Sequence, residues 1–234
     1  ATATPAVWND PEVDWAAFDA CLIRTTWDYT DHLDDFLAWA SGFETRGSLI
    51  NPPHIVRWNA NKAYLRELEA VGVPIIPTIW LEQGSKDVDL AGICRERGWH
   101  GAFLKPVVGA SSSGAMPFDP DEAGLAAATA HLNDWLPRRA MMVQPFLRRV
   151  QTEGEFSAIA VSGWITHGVQ KIPKSGDFRV QDDHGASDQP WTPDEAAVAV
   201  IDRVLDAAAE LVGSVTSARV DVLRDETGRY LLTE

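Results

Sequence analysis

Residues 218–234 of this 234-residue sequence read ARVDVLRDETGRYLLTE. The apolar residues within 220–223 predict one strand, residues 225–228 have the composition of a four-residue turn, and residues 230–232 predict the returning strand. The segment is therefore predicted to form a β-hairpin.

This hairpin carries two carboxylates, Asp221 and Glu234, on neighbouring strands. If Arg224 pairs with Arg229, Asp221 lies opposite Leu232, and the two acids are diagonal neighbours on one face, roughly 7–8 Å apart at Cα. Like charges at this separation repel, and Mg²⁺ that is shared with nucleotide phosphates would neutralise them. The pattern predicts a metal site, and a surface hairpin with two solvated acids is the alternative.

Two lysines, Lys62 and Lys105, occupy positions where a positive charge is unfavourable. Asn59 is predicted to cap a helix over residues 61–70, which places Lys62 in the first turn, where it opposes the helix dipole but is well placed to hold an anion. Lys105 interrupts the apolar strand AFLKPVV, and a buried ammonium group needs a partner charge or a shifted pKa. The alternatives are an ordinary exposed lysine at 62 and, at 105, a side chain that reaches solvent from an edge strand.

Other segments also have the residue types of an anion site. Residues 109–114 (GASSSG) form a donor-rich loop without the Gly-Lys-Ser/Thr ending of a P-loop. Residues 141–146 (MMVQPF) predict a buried strand, and Glu153 and Glu155 follow it. Residues 157–172 predict a second hairpin, and three cations lie at its end or beyond: Lys171, Lys174 and Arg179. A flexible connector and solvated surface charges are the alternative interpretations.

This order of features resembles the ATP-grasp superfamily in its glutathione-synthetase-like branch. The ending RYLLTE is similar to the metal-binding strand of that branch. The strings IRTTWDY, RWNANKAYL, VQPFL, TEGEFS and KIPKSGDFRVQDDHG are similar to a set of stand-alone bacterial ATP-grasp ligases that includes the D-cycloserine-forming cyclo-ligase. The resemblance spans nearly the whole chain. It implies an α/β fold with α+β layers, in which two lobes hold ATP behind a partial pre-ATP-grasp domain.

The resemblance also implies roles for individual residues. The implied nucleotide-binding residues are Lys62, Lys105, Ser111, Ser112, Ser113, Gln144, Phe146, Leu147, Glu155 and Lys171. Lys171 and Arg179 are the implied catalytic residues, with Arg179 at an acyl phosphate, and Asp221 and Glu234 are the implied metal ligands. Because Pro145 has no N–H, backbone groups that read an adenine edge are expected at Phe146 and Leu147. Glu155 matches the ribose-binding acid better than Glu153 does.

A short apolar strand, residues 18–23 (FDACLI), precedes the predicted substrate segment. Polar and aromatic groups leave its carboxyl end, where open α/β sheets place ligand loops. Arg24 can pair a carboxylate bidentately, and Asp31 is predicted to cap the next helix. The residues expected to contact an amino-acid-like substrate are Arg24, Thr25, Thr26, Trp27, Asp28, Tyr29, Lys174 and His184.

Alternating strand and helix signals agree with a layered domain organisation. The first domain is predicted at residues 1–57 and the ATP-grasp domain at 58–234, with lobes of about 58–140 and 141–234. ATP-grasp relatives begin with a further strand and helix and continue past the position of Glu234 with another metal ligand. The sequence is therefore expected to be incomplete at both ends.

The composition agrees with a soluble cytoplasmic enzyme. The formal charge of −14 argues against nucleic acid or an anionic membrane as a partner, because either needs a basic patch. Cys21 and Cys94 are too few and too scattered for disulfides or a zinc site, and no histidine pair has metal-ligand spacing. No apolar run reaches the roughly 18 residues of a membrane span, and no signal-peptide pattern precedes the first strand. A homodimer is left open.

The function that the resemblance implies is an ATP- and Mg²⁺-dependent carboxylate–amine ligase. Two Mg²⁺ ions, ATP and an acyl-phosphate intermediate on an amino-acid-like substrate belong to this chemistry, which depends on positioning and charge neutralisation. An intramolecular cyclisation of the D-cycloserine-forming type, an intermolecular amino-acid or dipeptide ligase and a catalytically silent nucleotide-binding module all remain open.

Overall fold

The computed structural model describes residues 2–234. Its strands form a two-stranded parallel sheet near the N-terminus, a four-stranded antiparallel sheet in the middle of the chain and a five-stranded antiparallel sheet toward the end. Each sheet has its own hydrophobic core. The predicted layered α/β class is confirmed.

The N-terminal unit is a short β–α–β arrangement. Its elements are β1 (Ala20–Leu22), α1 (Leu33–Ser41), α2 (Phe43–Arg46) and β2 (Ser48–Ile50), with 3₁₀ turns at Trp15–Ala17 and Asp28–Thr30. Helix α3 (Pro53–Asn59) follows, so the domain boundary suggested near residue 57 falls inside a helix. The residue that precedes α1 is His32, and no side chain caps the helix. The prediction that Asp31 caps α1 is therefore wrong, and its carboxylate pairs with Arg139 instead.

The four-stranded sheet forms the first lobe. Its elements are β3 (Ile79–Leu81), α5 (Leu90–Arg97), β4 (Ala102–Pro106), β5 (Met116–Phe118), α6 (Glu122–Trp135) and β6 (Met141–Pro145), and the strand order is β3–β6–β4–β5. Strand β6 is interior, since it pairs with both β3 and β4. The division of the lobes after residue 140 is therefore wrong, because the hydrogen bonds of residues 141–145 go to two strands of the first lobe.

The five-stranded sheet forms the second lobe. Its elements are α7 (Val150–Glu153), β7 (Glu155–Val161), β8 (Trp164–Ile172), β9 (Ser187–Trp191), α8 (Glu195–Val212), β10 (Ser217–Arg224) and β11 (Tyr230–Leu232), and the strand order is β11–β10–β7–β8–β9. A 3₁₀ turn, Asp182–His184, lies in the loop between β8 and β9. Within residues 2–234, no helix is both long enough and apolar enough to cross a membrane.

Helix α4 (Tyr64–Ala70) precedes the first lobe in sequence but packs on the core of the second. Its buried residues Leu65 and Leu68 share that core with Ile201 of α8 and Val220 of β10. The helix begins three residues later than predicted, because Asn59 belongs to the end of α3.

Candidate functional site

Strands β10, β7 and β8 place five polar side chains on one face of the second sheet. Asp221 pairs across the sheet with Ser157, and Glu155 pairs with Lys171. Arg219 lies two residues before Asp221 and therefore on the same face. The intervening residues, such as Val220, turn into the core on the opposite face. Period-2 alternation thus separates an ionic face from an apolar one.

The hairpin at the end of the chain forms, but in a different register from the predicted one. Val222 pairs with Leu232 and Arg224 with Tyr230, so the connection has five residues rather than four. Asp225 makes the longer connection because its Oδ1 accepts from the N–H groups of Thr227 (2.9 Å) and Arg229 (3.0 Å). The predicted pairing of Arg224 with Arg229 is wrong by one residue.

A bulge at the end of β11 compensates for this difference. The N–H groups of Thr233 and Glu234 both point to the carbonyl oxygen of Asp221, at 2.9 and 3.4 Å, and the N–H of Asp221 donates to the carbonyl oxygen of Glu234 at 2.9 Å. Two residues therefore face one, as in a β-bulge. A one-residue slip would otherwise move the Glu234 side chain to the apolar face of the sheet.

Two buried lysines converge on Glu234. Its Oε1 lies 3.4 Å from Lys62 Nζ and 3.7 Å from Lys105 Nζ, and each lysine side chain is only 9% exposed. Lys62 Nζ also donates to Gly109 O at 2.6 Å, and Lys105 Nζ lies 3.3 Å from both Thr233 O and Thr233 Oγ1. The interpretation of Lys62 as an ordinary exposed lysine is therefore wrong.

Lys105 is also not an edge-strand lysine. Strand β4 lies between β6 and β5, and Pro106 is tolerated because the pairing with β5 stops at Leu104. Burial lowers the pKa of Lys105, and the charge of Glu234 opposes that shift. Burial also raises the pKa of Glu234, but Lys62 and Lys105 outweigh it and hold this pKa below its usual value. Lys62, Lys105 and Glu234 form a charge cluster in which two ammonium groups face one carboxylate.

Asp221 is held by more partners than the sequence indicated. Arg219 donates to both of its carboxylate oxygens at 2.8–2.9 Å, Ser157 Oγ donates at 2.6 Å, and Lys171 Nζ lies 3.8 Å away. Burial alone would raise the pKa of Asp221, and the two cations lower it instead. The sequence analysis missed Arg219 and Ser157, although the i, i+2 spacings to Asp221 and Glu155 could have identified them.

Lys171 bridges the two acids of this face. Its Nζ lies 3.0 Å from Glu155 Oε1, and burial, which would lower the pKa of Lys171, is outweighed by Asp221 and Glu155. Burial, followed by the charge of Asp221, raises the pKa of Glu155 to about 7. Glu155 therefore titrates near neutral pH.

Comparison with known proteins identifies relatives of this chain. Residues 1–51 match the family described as D-cycloserine synthetase DcsG, N-terminal domain. Over 180 residues the chain is 30% identical to the cycloserine biosynthesis protein DcsG of Streptomyces lavendulae. The aligned region covers 73% of this chain and 57% of the relative. The chain thus spans a little more than half the length of that curated relative.

Solved structures match over more of the chain. The crystal structure of D-cycloserine synthetase DcsG aligns with a TM-score of 0.85 at 26% identity, over 97% of this chain and 78% of that one. The D-alanine–D-alanine ligase from Bacillus anthracis complexed with ATP aligns with a TM-score of 0.67 at 14% identity, over 93% and 67%. The ATP-grasp ligase PsnB complexed with minimal precursor, Mg and ADP aligns with a TM-score of 0.57 at 17% identity, over 92% and 67%.

The chain has the ATP-grasp fold. It resembles D-cycloserine synthetase both in sequence and in structure. The two more distant ligases support the fold alone.

In this ATP-grasp chain, the segment predicted to read adenine lies at the connection between the lobes. Gln144 is 2% exposed and donates from Nε2 to Thr78 Oγ1 at 2.8 Å. The N–H of Phe146 donates to Gly101 O at 2.9 Å, so it is not free for a base edge. Within the expected backbone pair, Phe146 can therefore contribute its carbonyl oxygen, and the N–H would come from Leu147. The Phe146 ring packs with those of Phe103 and Phe178 at 6.1 and 6.2 Å between centroids.

The serine-rich loop contacts the loop between β8 and β9, residues 173–186. Ser111 and Ser112 adopt left-handed backbone angles, with φ of 52° and 58°, which non-glycine residues adopt only at an energetic cost. Ser112 Oγ donates to Gln181 Oε1 at 2.8 Å. Ser113 is exposed, and its N–H donates to Ala110 O at 3.0 Å.

Arg179 and Lys174 lie in this β8–β9 loop and do not contact the charge cluster. The Arg179 guanidinium pairs with the carboxylate of Asp177 at 2.7–3.1 Å, and its side chain is 40% exposed. Lys174 is exposed and lies beside Gly185, next to the half-buried His184.

The predicted substrate segment divides into residues that approach the site and residues that do not. Tyr29 packs against Phe36 at 5.3 Å between ring centroids, and its pKa is raised by burial and by the charge of Glu234. Asp28 instead accepts from Trp8 Nε1 at 3.0 Å. The remaining members are exposed or half-buried: Arg24, Thr25, Thr26 and Trp27.

The raised pKa of Glu155 predicts a pH-dependent effect of Glu155→Gln on stability. The folded chain holds the Glu155 proton more tightly than the unfolded chain, so this contribution to the free energy of unfolding is complete below about pH 4.5 and is lost as the pH rises through about 7. Calorimetry should therefore show that the melting temperature of the variant, relative to wild type, rises between pH 5 and pH 8. A constant difference over this range would contradict the shifted pKa.

Proposed function

We propose that this chain is part of an ATP- and Mg²⁺-dependent carboxylate–amine ligase that forms a C–N bond on an amino-acid-like substrate. The observation that carries the proposal is the convergence of Lys62 and Lys105 on Glu234, beside the buried carboxylate of Asp221. Two buried ammonium groups against one carboxylate leave an excess positive charge, which favours an anionic ligand. The nucleotide triphosphate is the anion that the ATP-grasp fold supports.

The donor set fits Mg²⁺. Among residues 2–234, no group of three or more histidine, cysteine or acidic side chains could hold a metal ion by itself. Mg²⁺ is usually bound by one or two carboxylates together with phosphate oxygens, so Asp221 and Glu234 would hold it together with the nucleotide. We propose two ions at these residues. When bound, Mg²⁺ would neutralise charge on the phosphate oxygens.

The lysines and the aromatic rings would position ATP. Lys62, Lys105 and Lys171 would contact the phosphates, and the Phe103, Phe146 and Phe178 cluster would flank the base. Glu155 would accept hydrogen bonds from the ribose. Because phosphoryl transfer depends on alignment and charge neutralisation, these contacts account for much of the expected catalysis.

The proposed reaction has two steps. A carboxylate oxygen of the substrate attacks the γ-phosphorus, the bond from phosphorus to the β–γ bridging oxygen breaks, and ADP leaves an acyl phosphate. An amine nitrogen then attacks the carbonyl carbon, inorganic phosphate leaves, and the nitrogen loses a proton. Arg219, Lys171 and Arg179 would stabilise the charge on the transferred group.

The resemblance to D-cycloserine synthetase favours an intramolecular reaction, in which the amine and the carboxylate belong to one molecule. The test is ADP release by the full-length protein across a panel of amino acids and amino-acid-like acids that either carry or lack an internal amine nucleophile. Release that requires a second amine would indicate an intermolecular ligase. No stimulation by any acid, together with measurable ATP binding, would indicate a silent nucleotide-binding module.

Arg24→Ala should separate substrate binding from nucleotide binding. Arg24 leaves the carboxyl end of β1, whereas the proposed nucleotide contacts lie after residue 60. Loss of a ground-state charge pair should raise KM for the carboxylate substrate about tenfold and leave ATP affinity nearly unchanged. Arg97→Ala, at an exposed arginine of α5, is the matched control. Equal losses of substrate and ATP affinity would place Arg24 outside the substrate site.

Arg179→Ala should lower kcat rather than raise KM, because its proposed partner gains charge only during the reaction. The ion pair with Asp177 engages Nε and Nη2 of Arg179, so Nη1 could make this contact. Asp177→Asn, which frees the guanidinium, should therefore retain more activity than Arg179→Ala in steady-state assays. The reverse order would assign Arg179 to loop structure.

A further inference from the structure

The root of the serine-rich loop, Val107 to Gly109, is held by basic residues from two other parts of the chain. Val107 O accepts from the backbone N–H of Lys62 at 2.9 Å, and Gly109 O accepts from Lys62 Nζ at 2.6 Å. The carbonyl between them, Val108 O, accepts from Arg139 Nη1 at 3.1 Å. The start of the loop is therefore fixed at three successive carbonyl groups.

The same guanidinium reaches the N-terminal unit. Arg139 Nη2 donates to Asp31 Oδ1 at 2.5 Å, and Asp31 directly follows the 3₁₀ turn that carries Asp28 and Tyr29. Arg139 thus contacts the loop root with one nitrogen and the substrate-side segment with another. Only arginine has the rigid, multidentate head that holds two such partners at once.

We propose that Arg139 is a positioning residue that couples the substrate-side segment, residues 24–31, to the serine-rich loop, residues 109–114. The proposal rests on the proposed function, since it assigns these two segments to substrate and phosphate. A ligand that fixes the 3₁₀ turn also fixes Asp31, and through Arg139 it fixes the carbonyl from which the loop departs. By linkage, a ligand in the loop favours the same arrangement of the turn.

The exposure of the two side chains indicates that the Arg139–Asp31 ion pair positions the loop more than it stabilises the fold. The Asp31 side chain is 72% exposed and that of Arg139 is 24% exposed. Ion pairs this exposed contribute little to folding. Breaking the pair should therefore leave the melting temperature nearly unchanged while loosening the loop.

The preceding residue, Arg138, provides a control for Arg139. Arg138 lines a cavity of about 630 Å³ that Asp31, Val108 and Arg139 also line, but it pairs with Asp134 at the end of α6. Arg138→Gln therefore removes one positive charge from this cavity but leaves the contacts of Arg139 with Asp31 and Val108 intact. Arg139→Lys keeps the positive charge but has only one nitrogen, so it cannot reproduce the two contacts made by Nη1 and Nη2.

The first test uses the protein without ligand, so it does not depend on the proposed function. Hydrogen exchange of the amides of Ser113 and Ala115 should become about fivefold faster in Arg139→Gln and in Asp31→Asn, and unchanged in Arg138→Gln. The double variant should exchange no faster than Arg139→Gln alone. Unchanged exchange in either single variant, or full rescue by Arg139→Lys, would overturn the proposal.

The second test measures coupling between the sites by titrating ADP with and without D-cycloserine. D-cycloserine should tighten ADP binding in wild type by about fivefold or more, and by a factor near one in Arg139→Gln and Asp31→Asn. Coupling retained in these variants would overturn the proposal. If D-cycloserine does not bind wild type, the proposed substrate class fails, and hydrogen exchange alone decides the role of Arg139.

Discussion

Asp221→Asn and Glu234→Gln are each expected to reduce ATP-dependent ligation by about 10³-fold at saturating ATP and millimolar Mg²⁺. Loss of a metal ligand should raise the phosphoryl-transfer barrier by several kcal/mol, and each 1.4 kcal/mol is a factor of ten. Both carboxylates lie at the end of one hairpin, next to Lys62 and Lys105. ADP release measured against Mg²⁺ concentration checks the expectation.

The matched control is Glu226→Gln, which makes the same change at an exposed acid in the turn of the same hairpin. It should leave turnover and Mg²⁺ dependence unchanged. Since Asp221 is fully buried among cations, circular dichroism and melting curves should accompany that variant, whereas the partly exposed Glu234 is the safer test of chemistry alone. Near-normal turnover of Glu234→Gln would remove the metal assignment.

Lys105→Met is expected to weaken ATP binding by about 10- to 100-fold while the melting temperature stays unchanged or rises slightly. The side chain is buried, its pKa is lowered mainly by burial, and its Nζ lies 3.7 Å from Glu234 and 3.3 Å from Thr233 O. Methionine removes the desolvated charge, and it also removes a charged hydrogen-bond donor worth about 1.5–3 kcal/mol.

Titration calorimetry with ATP and differential scanning calorimetry measure the two effects separately. Lys86→Met, at an exposed loop lysine, is the control and should change neither quantity. If ATP affinity is unchanged in Lys105→Met and the melting temperature falls, Lys105 serves the structure through Glu234 and Thr233.

Local sequence patterns were sufficient to predict much of the secondary structure of the second lobe. Alternation at Arg219, Val220, Asp221 and Val222 determines that the two charged residues share one face and the two valines the other, since successive side chains of a strand point to opposite sides. Asp194 caps α8, as Asp121 caps α6 of the first lobe, because aspartate accepts from the N–H groups of a first helical turn.

Other expectations failed where the outcome depended on residues distant in sequence. Four- and five-residue turns both fit residues 225–229, and the hydrogen bonds of Asp225 selected the longer one. Residues 141–145 carry an apolar signal that suits either lobe, and pairing with β3 and β4 decided the first. Asp31 has the chemistry of a helix cap, but Arg139 provides a charged partner instead.

By itself, the sequence determined which residue types carry the chemistry and which face of β10 Arg219 and Asp221 occupy, because these depend on propensities and periods within about ten residues, whereas the bulge decided the face of Glu234. Only the tertiary structure decided their partners. Lys62 and Glu234 are separated by 172 residues, and no local pattern indicates that α4 packs on the second lobe and brings them within 3.4 Å. Burial and charge pairing are properties of the assembled lobes, so the shifted pKa values of Lys105, Glu155 and Glu234 exist only in the folded chain.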